Sequence, residues 1–418
     1  MSEWKLSDLC VGKGSYGIGA PAVDYNENLP TYLRITDIND DGTLNHNGFK
    51  SVDNAESYKY TLKKNDIVFA RTGNSTGRSY FYNPADGEFV YAGFLIKFSL
   101  DPVKVNPRII KYYTHSQPYY DWVKSFDTGA TRGNINAQTF ADMPIELPDR
   151  NIQDRIVSIL SSLDAKIENN NKVNAKLEEI AQNLFKEWFV DFSPFMNGKF
   201  VESELGLIPE GWRVGTLGEI IINTIAGDWG KDNEEGNFTF KVACIRGADI
   251  EDVKAGNKGK MPTRYILPKN FNAKHLEAND LVVEISGGSP TQSTGRICLI
   301  SDSLLNRYDN ALVCTNFCRA LKPIPEYSMF LYNIWQNLYD KGVMFLYENG
   351  TTGIKNLALN DLIAKQLVIL PPKEITLKFN NLVASFEMVI QQNGIENEKL
   401  ATIRDTLLPK LMSGEIEV

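Results

Sequence analysis

The strongest constraint on the fold is an internal duplication that runs through almost the whole chain. WKLSDL at Trp4 returns as WRVGTL at Trp212, 208 positions on; RITDI at Arg34 returns as RGADI at Arg246, and LKKNDIV at Leu62 as LEANDLV at Leu276. GATRGNI at Gly129 is echoed by GTTGIKNL at Gly350. Beyond that point the offset settles at 223, with Pro148 matching Pro371, Ile152 matching Ile375 and Leu184 matching Leu407. A chain of 418 residues exceeds what one core usually organises, and two copies of one plan account for it.

Each copy has two parts. The first, over residues 1–149 and 211–372, mixes β-type runs such as NDIVFART, EFVYAGFLIKFSL, NDLVVEISG and NALVCTNFCRAL with Gly, Asn and Asp punctuation. One helix per copy follows, IIKYYTHSQPYYDWVKSF and YSMFLYNIWQNLYDKG, with Pro118 expected to break or bend the first. These read as two pseudo-repeated α+β globular domains. The second part is a long helix, over 150–190 and 373–412, with a linker at 191–210 and a tail at 413–418. Ile156, Ile159, Leu160, Leu163, Ile167, Leu177, Ile180, Leu184 and Trp188 recur at three- and four-residue steps. Phe379, Val383, Phe386, Ile390, Leu400, Ile403, Leu407 and Leu411 do likewise. Roughly 35 residues at about 1.5 Å rise make a rod of about 50 Å, whose apolar stripe needs a partner.

The apolar steps pass through Asn170 and Asn174 in one helix and Asn393 and Asn397 in the other. An asparagine at a buried seam fixes register, because only another polar group satisfies it. Antiparallel pairing sets the two asparagine pairs opposite each other and sends the globular domains to opposite ends. Parallel pairing also matches them but crowds both domains at one end. The competing possibility is that these positions are simply solvated.

The formal net charge of −8 counts against a simple basic nucleic-acid binder, although positive charge confined to one groove suffices for phosphate contact. MSEWKLSDL lacks a basic start leading into an apolar run, and no stretch approaches a bilayer span, so the expectation is a cytoplasmic protein. The five cysteines form no short-spaced pair. A zinc site from Cys244, Cys314, Cys318 and His275 competes with a plain apolar core, and the strand-like runs LVCTNFC and RICLI favour the core.

Catalytic motifs fail on context. GKGSYG, residues 12–17, spells a dinucleotide fingerprint but leads into IGAPAVDYNENLP rather than a helix. SGGSP is not followed by Lys-Ser or Lys-Thr, so a Walker-type phosphate loop is not supported. His46, His115 and His275 have no motif partners.

LFKEWFVDFSPF at Leu184, IPEGWRVGTLGEI at Ile208 and LLPKLMSGEI at Leu407, set within this duplication, resemble the DNA-specificity subunit of type I restriction-modification enzymes. The likeness extends over essentially the whole chain. DFSPF also resembles the Asp/Asn-Pro-Pro-aromatic loop of adenine methyltransferases, but Ser193 stands where that loop has its first proline, and a helix stop enforced by Pro194 is the simpler reading. The resemblance implies two target-recognition domains, each reading half of a split DNA sequence, separated by two long antiparallel coiled-coil-like helices. It implies a non-catalytic chain that binds no cofactor itself. The expected partners are double-stranded DNA, two modification subunits carrying S-adenosylmethionine, and restriction subunits using ATP. A duplicated protein- or ligand-binding scaffold is the alternative.

Family likeness says least about which side chains touch DNA, so candidates rest on chemistry. ARTGNSTGRSYF offers Arg71, Thr72, Asn74, Ser75, Thr76 and Arg78 in a glycine-punctuated loop after a strand. Arginine can fork onto guanine, asparagine onto adenine, and hydroxyls onto phosphates. EISGGSPTQSTGR offers Ser289, Thr291, Gln292, Ser293 and Arg296. The next candidates are Lys124, Arg132 and Asn134 around TGATRGNIN, and Lys355 and Asn356 in NGTTGIKN.

Overall fold

In the computed structural model, all residues are described except 1, 46–47, 127–132, 289–291 and 351–354. The chain divides into two units, residues 1–165 with 401–418, and residues 166–400. Both are built on one plan.

In the first unit β1 (Ser2–Lys5), β2 (Thr31–Leu33), β3 (Asp66–Ala70), β4 (Phe89–Tyr91) and β5 (Leu95–Ser99) are followed by α1 (Pro107–Tyr113), α2 (Gln117–Lys124) and β6 (Pro144–Leu147). The central strand β3, DIVFA, is buried at every position. It lies antiparallel between β5 and Ser79–Phe81, which explains an apolar run without alternation. A second sheet pairs β2 in parallel with β4. EFVYAGFLIKFSL is therefore two strands and a turn rather than one strand. Pro118 does interrupt the helical segment: α1 ends at Tyr113 and α2 restarts at Gln117 with the proline in its first turn.

After β6 comes α3 (Arg150–Phe189). The second unit then repeats the order with β7 (Arg213–Thr216), β8 (Phe240–Ile245), β9 (Leu281–Glu284), β10 (Leu312–Cys314), β11 (Cys318–Pro323), α4 (Ser328–Asp340), β12 (Leu367–Leu370) and α5 (Lys373–Ser413). β9 sits between β11 and Ile297–Leu299 as β3 sits between β5 and Ser79–Phe81. The parallel pair recurs as β8 with β10. β1 pairs antiparallel with β6, and β7 with β12, so in each copy the strand that opens the domain holds the strand that feeds its long helix.

The repeated motifs are turn chemistry. Asn65 and Asn279 both adopt φ of 72°, a left-handed conformation that asparagine tolerates better than most residues. The aspartate that follows turns inward: Asp66 Oδ2 accepts the Lys63 amide and Asp280 Oδ2 the Glu277 amide, each at 2.8 Å. Arg34 clamps Asp37 through Nε and Nη2, and Arg246 clamps Asp249 in the same way.

Within each unit the long helices run antiparallel. In the first unit Ile156, Val157 and Leu160 of α3 share a core with Leu408, Leu411 and Met412 of α5. Asp164 receives Lys111, Tyr112 and Arg404 at 2.7–3.0 Å. Burial pushes its carboxyl up, but the Lys111 and Arg404 charges hold it below the usual range. In the second unit Phe185 and Phe189 of α3 pack on Phe379 of α5. The second unit also holds an amide layer: Asn170 Nδ2 donates to Asn397 Oδ1 at 2.9 Å, Asn393 to Asn174 Oδ1 at 2.8 Å, and Asn397 to Asn171 Oδ1 at 2.8 Å. Asn170, Asn174 and Asn397 are buried, so these are seam positions and not solvated ones. Ile159, Ile180 and Ile403, expected at the seam, are instead among the exposed apolar side chains.

Gly394 sits inside α5 where the backbone after the short helix Ile250–Lys254 comes against it. A Cβ there would lie 1.8 Å from Gly256 O. Asn174 adds a bond to Ala255 O at 2.9 Å.

Candidate functional site

In the first copy the site grows from the end of β3. Ala70 and the segment that returns after the loop exchange two backbone hydrogen bonds, Ala70 N to Arg78 O and Gly77 N to Ala70 O, both 2.8 Å. Gly77 has φ of 87° and its missing Cβ is replaced by the Val123 side chain, so only glycine fits there. The buried Tyr119 hydroxyl of α2 donates to Gly77 O.

The two candidate segments of this copy converge. Arg71 N donates to Phe94 O at 3.1 Å, Ile135 N donates to Arg71 O at 2.9 Å, and Thr72 bridges Asn134. Thr76 Oγ1 lies 2.7 Å from Gly73 O and 3.0 Å from Gly133 O. Arg71 places its guanidinium 5.1 Å from the Tyr16 ring centroid, with a buried Nε that has no hydrogen-bond partner among the described residues. Asn74 is exposed and Ser75 buried. Arg78 is tied down, with Nε on Asp40 at 2.6 Å and Nη1 on Ile38 O at 3.1 Å. Lys124 is exposed at the end of α2; Arg132 lies outside the described residues.

The second copy rebuilds the same frame with other side chains. Glu284 N donates to Arg296 O and Gly295 N to Glu284 O, both 2.9 Å. Ile285 N donates to Phe317 O at 2.8 Å, and Leu357 N to Ile285 O at 2.9 Å. Ser286 pairs with Asn356 as Thr72 does with Asn134, and here the hydroxyl also bonds Asn356 Oδ1. Trp335 Nε1 donates to Gly295 O at 2.8 Å, in the place of Tyr119 on Gly77.

Several candidates are already engaged. Arg296 forms a fork on Glu284, Nε to Oε2 at 2.9 Å and Nη2 to Oε1 at 2.8 Å, in a largely buried pair. Lys355 Nζ lies 2.9 Å from Glu348 and 4.7 Å from the Phe345 ring. Ser293 is buried and its carbonyl accepts the Tyr339 hydroxyl at 3.2 Å. Gln292 is exposed; Ser289 and Thr291 lie outside the described residues.

Sequence reasoning missed two residues at this frame. Phe94 and Phe317 occupy the same turn in the two copies, beside Arg71 and Ile285, and are 57% and 59% exposed. The available signal was the small or polar pair, AG and TN, that splits each apolar run just before the phenylalanine. The cysteines are packed inward: Cys244, Cys298, Cys314 and Cys318 are buried in apolar clusters, Cys318 directly after Phe317, and burial pushes the Cys244 and Cys318 thiols up to about 12. His275 rests against Phe271, with ring centroids 5.2 Å apart.

Residues 2–179 match the family described as "Type I restriction modification DNA specificity domain". The chain is 28% identical over 314 residues to the MjaIX specificity subunit of Methanocaldococcus jannaschii, an alignment covering 73% of this chain and 68% of that one. It is 25% identical to the HindI specificity subunit of Haemophilus influenzae, with 100% of both chains covered. Among solved structures, the type I S subunit from M. genitalium aligns with 98% of this chain and 96% of its own at 18% identity and a TM-score of 0.49.

Proposed function

We propose that this chain, a type I restriction-modification specificity subunit by the domain in residues 2–179 and by its relatives, reads a DNA target in two halves, one per copy. The observation that carries this reading is the recurrence of one backbone frame in both copies, each presenting a hydroxyl residue against an asparagine: Thr72 with Asn134, Ser286 with Asn356. An asparagine amide matches the N6 and N7 of adenine, and hydroxyls suit base edges or phosphate. Two equivalent frames with different side chains suit two different half-sites better than one shared ligand.

The long helices support a fixed spacing. Helices of 40 and 41 residues measure about 60 Å each, enough to hold two domains over major grooves about 34 Å apart. Buried amides at their seam oppose sliding.

The same helices support a scaffolding role. Within the second unit, Val173 and Ile180 stand exposed seven residues apart on α3, and Leu382 and Val389 do so on α5. Exposed apolar pairs at heptad spacing on each helix fit a helical partner. In this reading the chain itself catalyses nothing: modification subunits bring S-adenosylmethionine, restriction subunits bring ATP, and DNA phosphate is neutralised jointly with them. No helix among the described residues is long and apolar enough to cross a membrane.

The test is to assemble the chain with its modification subunits and map the adenines they methylate. A split motif is expected. Seven residues inserted into both α3 and α5 should lengthen the non-specific spacer; an unchanged spacer removes the measuring role, and an unsplit motif removes the two-headed one.

A further inference from the structure

Exposed phenylalanine at a tight turn leaves apolar surface in water, and a single instance would need no explanation. Here the same residue type occupies the same turn twice, although the residue bonded to that turn is arginine in one copy and isoleucine in the other. Phe94 follows β4 and precedes β5; Phe317 follows β10 and precedes β11. Their carbonyls are fixed by Arg71 N in one copy and by Ile285 and Ser286 N in the other, at 2.8–3.2 Å. Arg71 and Ile285 also accept from the asparagine-bearing segment, Arg71 O from Ile135 N and Ile285 O from Leu357 N. In each frame one residue thus fastens both the phenylalanine turn and the segment that carries Asn134 or Asn356.

That pairing has a specific chemistry. Thymine is the base that carries a methyl group into the major groove, and it lies opposite the adenine an asparagine reads. We infer that Phe94 and Phe317 are specificity-determining residues that seat their rings on thymine methyl groups, each acting with Asn134 or Asn356 to select A·T pairs in its own half-site. The inference rests on the reading of the chain as a two-headed DNA reader and names what each head takes.

The experiment uses the full chain assembled with its modification subunits and duplexes carrying the mapped target, in which single thymines are replaced by deoxyuridine. In the unaltered complex, uracil at one position in each half-site should weaken binding about fourfold, the factor for one methyl group returned to water. Phe94→Ala should weaken binding to the thymine duplex and abolish the uracil effect in one half-site only; Phe317→Ala should do so in the other. Phe94→Leu, which keeps an apolar contact, should retain most of the effect. Both positions are exposed, so the alanine variants should fold normally, which an unchanged thermal transition checks. A uracil penalty that survives undiminished in the alanine variants, or no thymine-sensitive position in either half, overturns the inference while leaving the split target standing. A complex that selects no split target at all brings down the functional reading as well.

Discussion

Asn170 donates its side-chain amide to Asn397 Oδ1 across 2.9 Å, within a helix pair in which both residues are almost fully buried. Asn170 also reaches Glu396 Oε2 at 2.8 Å, and Lys166 meets the same carboxylate at 3.1 Å. Slipping one helix by a turn would keep only one Asn–Asn match and leave one asparagine of each helix without an asparagine opposite it. The layer therefore specifies register more than it adds stability.

Replacing Asn170 by Ala leaves the Asn397 carbonyl without its donor in a buried setting. A loss of about 1–3 kcal/mol is expected, read from the midpoint of chemical denaturation. A change below about 0.5 kcal/mol would place Asn170 among ordinary surface positions.

Gly394→Ala separates two opposing effects. Helix propensity alone favours alanine by about 1 kcal/mol. The close approach of Gly256 O, 1.8 Å from the new Cβ, requires backbone to move. A lowered melting temperature is expected; a raised one would mean that the contact yields freely.

Glu387 carries a pH signature. Burial pushes its carboxyl up to about 7, with the neighbouring Glu178 charge adding to the effect, while Gln391 Nε2 donates to it at 2.8 Å. The folded state thus holds this proton more tightly than the unfolded chain. Its penalty is absent below the ordinary value of 4.5, grows as pH rises, and is complete above about 7. Glu387→Gln should stabilise the protein by roughly 1–3 kcal/mol at pH 8. The gain should shrink toward pH 5, and equal gains at both would show that charge is not the cause.

Asn134→Ala and Asn356→Ala should act on different halves of the target. Each should cost about 1–3 kcal/mol of discrimination at one base pair, seen as a relaxed position in one half of the methylated motif. Relaxation in both halves from either substitution would contradict independent heads.

The duplication, the long helices and the amide seam were legible because they are local or periodic. Asn65 with Asp66, and Asn279 with Asp280, announce a turn and an inward-facing strand within a few residues. Asn170 and Asn397 could be matched because a repeat supplied the pairing. What escaped depends on contacts distant in sequence. Nothing near Arg71 says that Ile135 will lie beside it, and nothing near Arg296 separates a free guanidinium from one held by Glu284. Phe94 and Phe317 were absorbed into apolar runs, since hydrophobicity alone does not tell a strand residue from a turn residue. Ile159, Ile180 and Ile403 keep helical spacing on either face, so counting alone assigned them to the wrong one.

The three-segment frame is fastened by main-chain amides and carbonyls, which every ordinary residue possesses. Arginine in one copy and isoleucine in the other stand at the same station without disturbing those links. Under the proposed two-headed reading, substitutions at these stations change what each copy recognises while its architecture stays put, so new sequence preferences arise from few substitutions and the two copies drift apart in what they prefer.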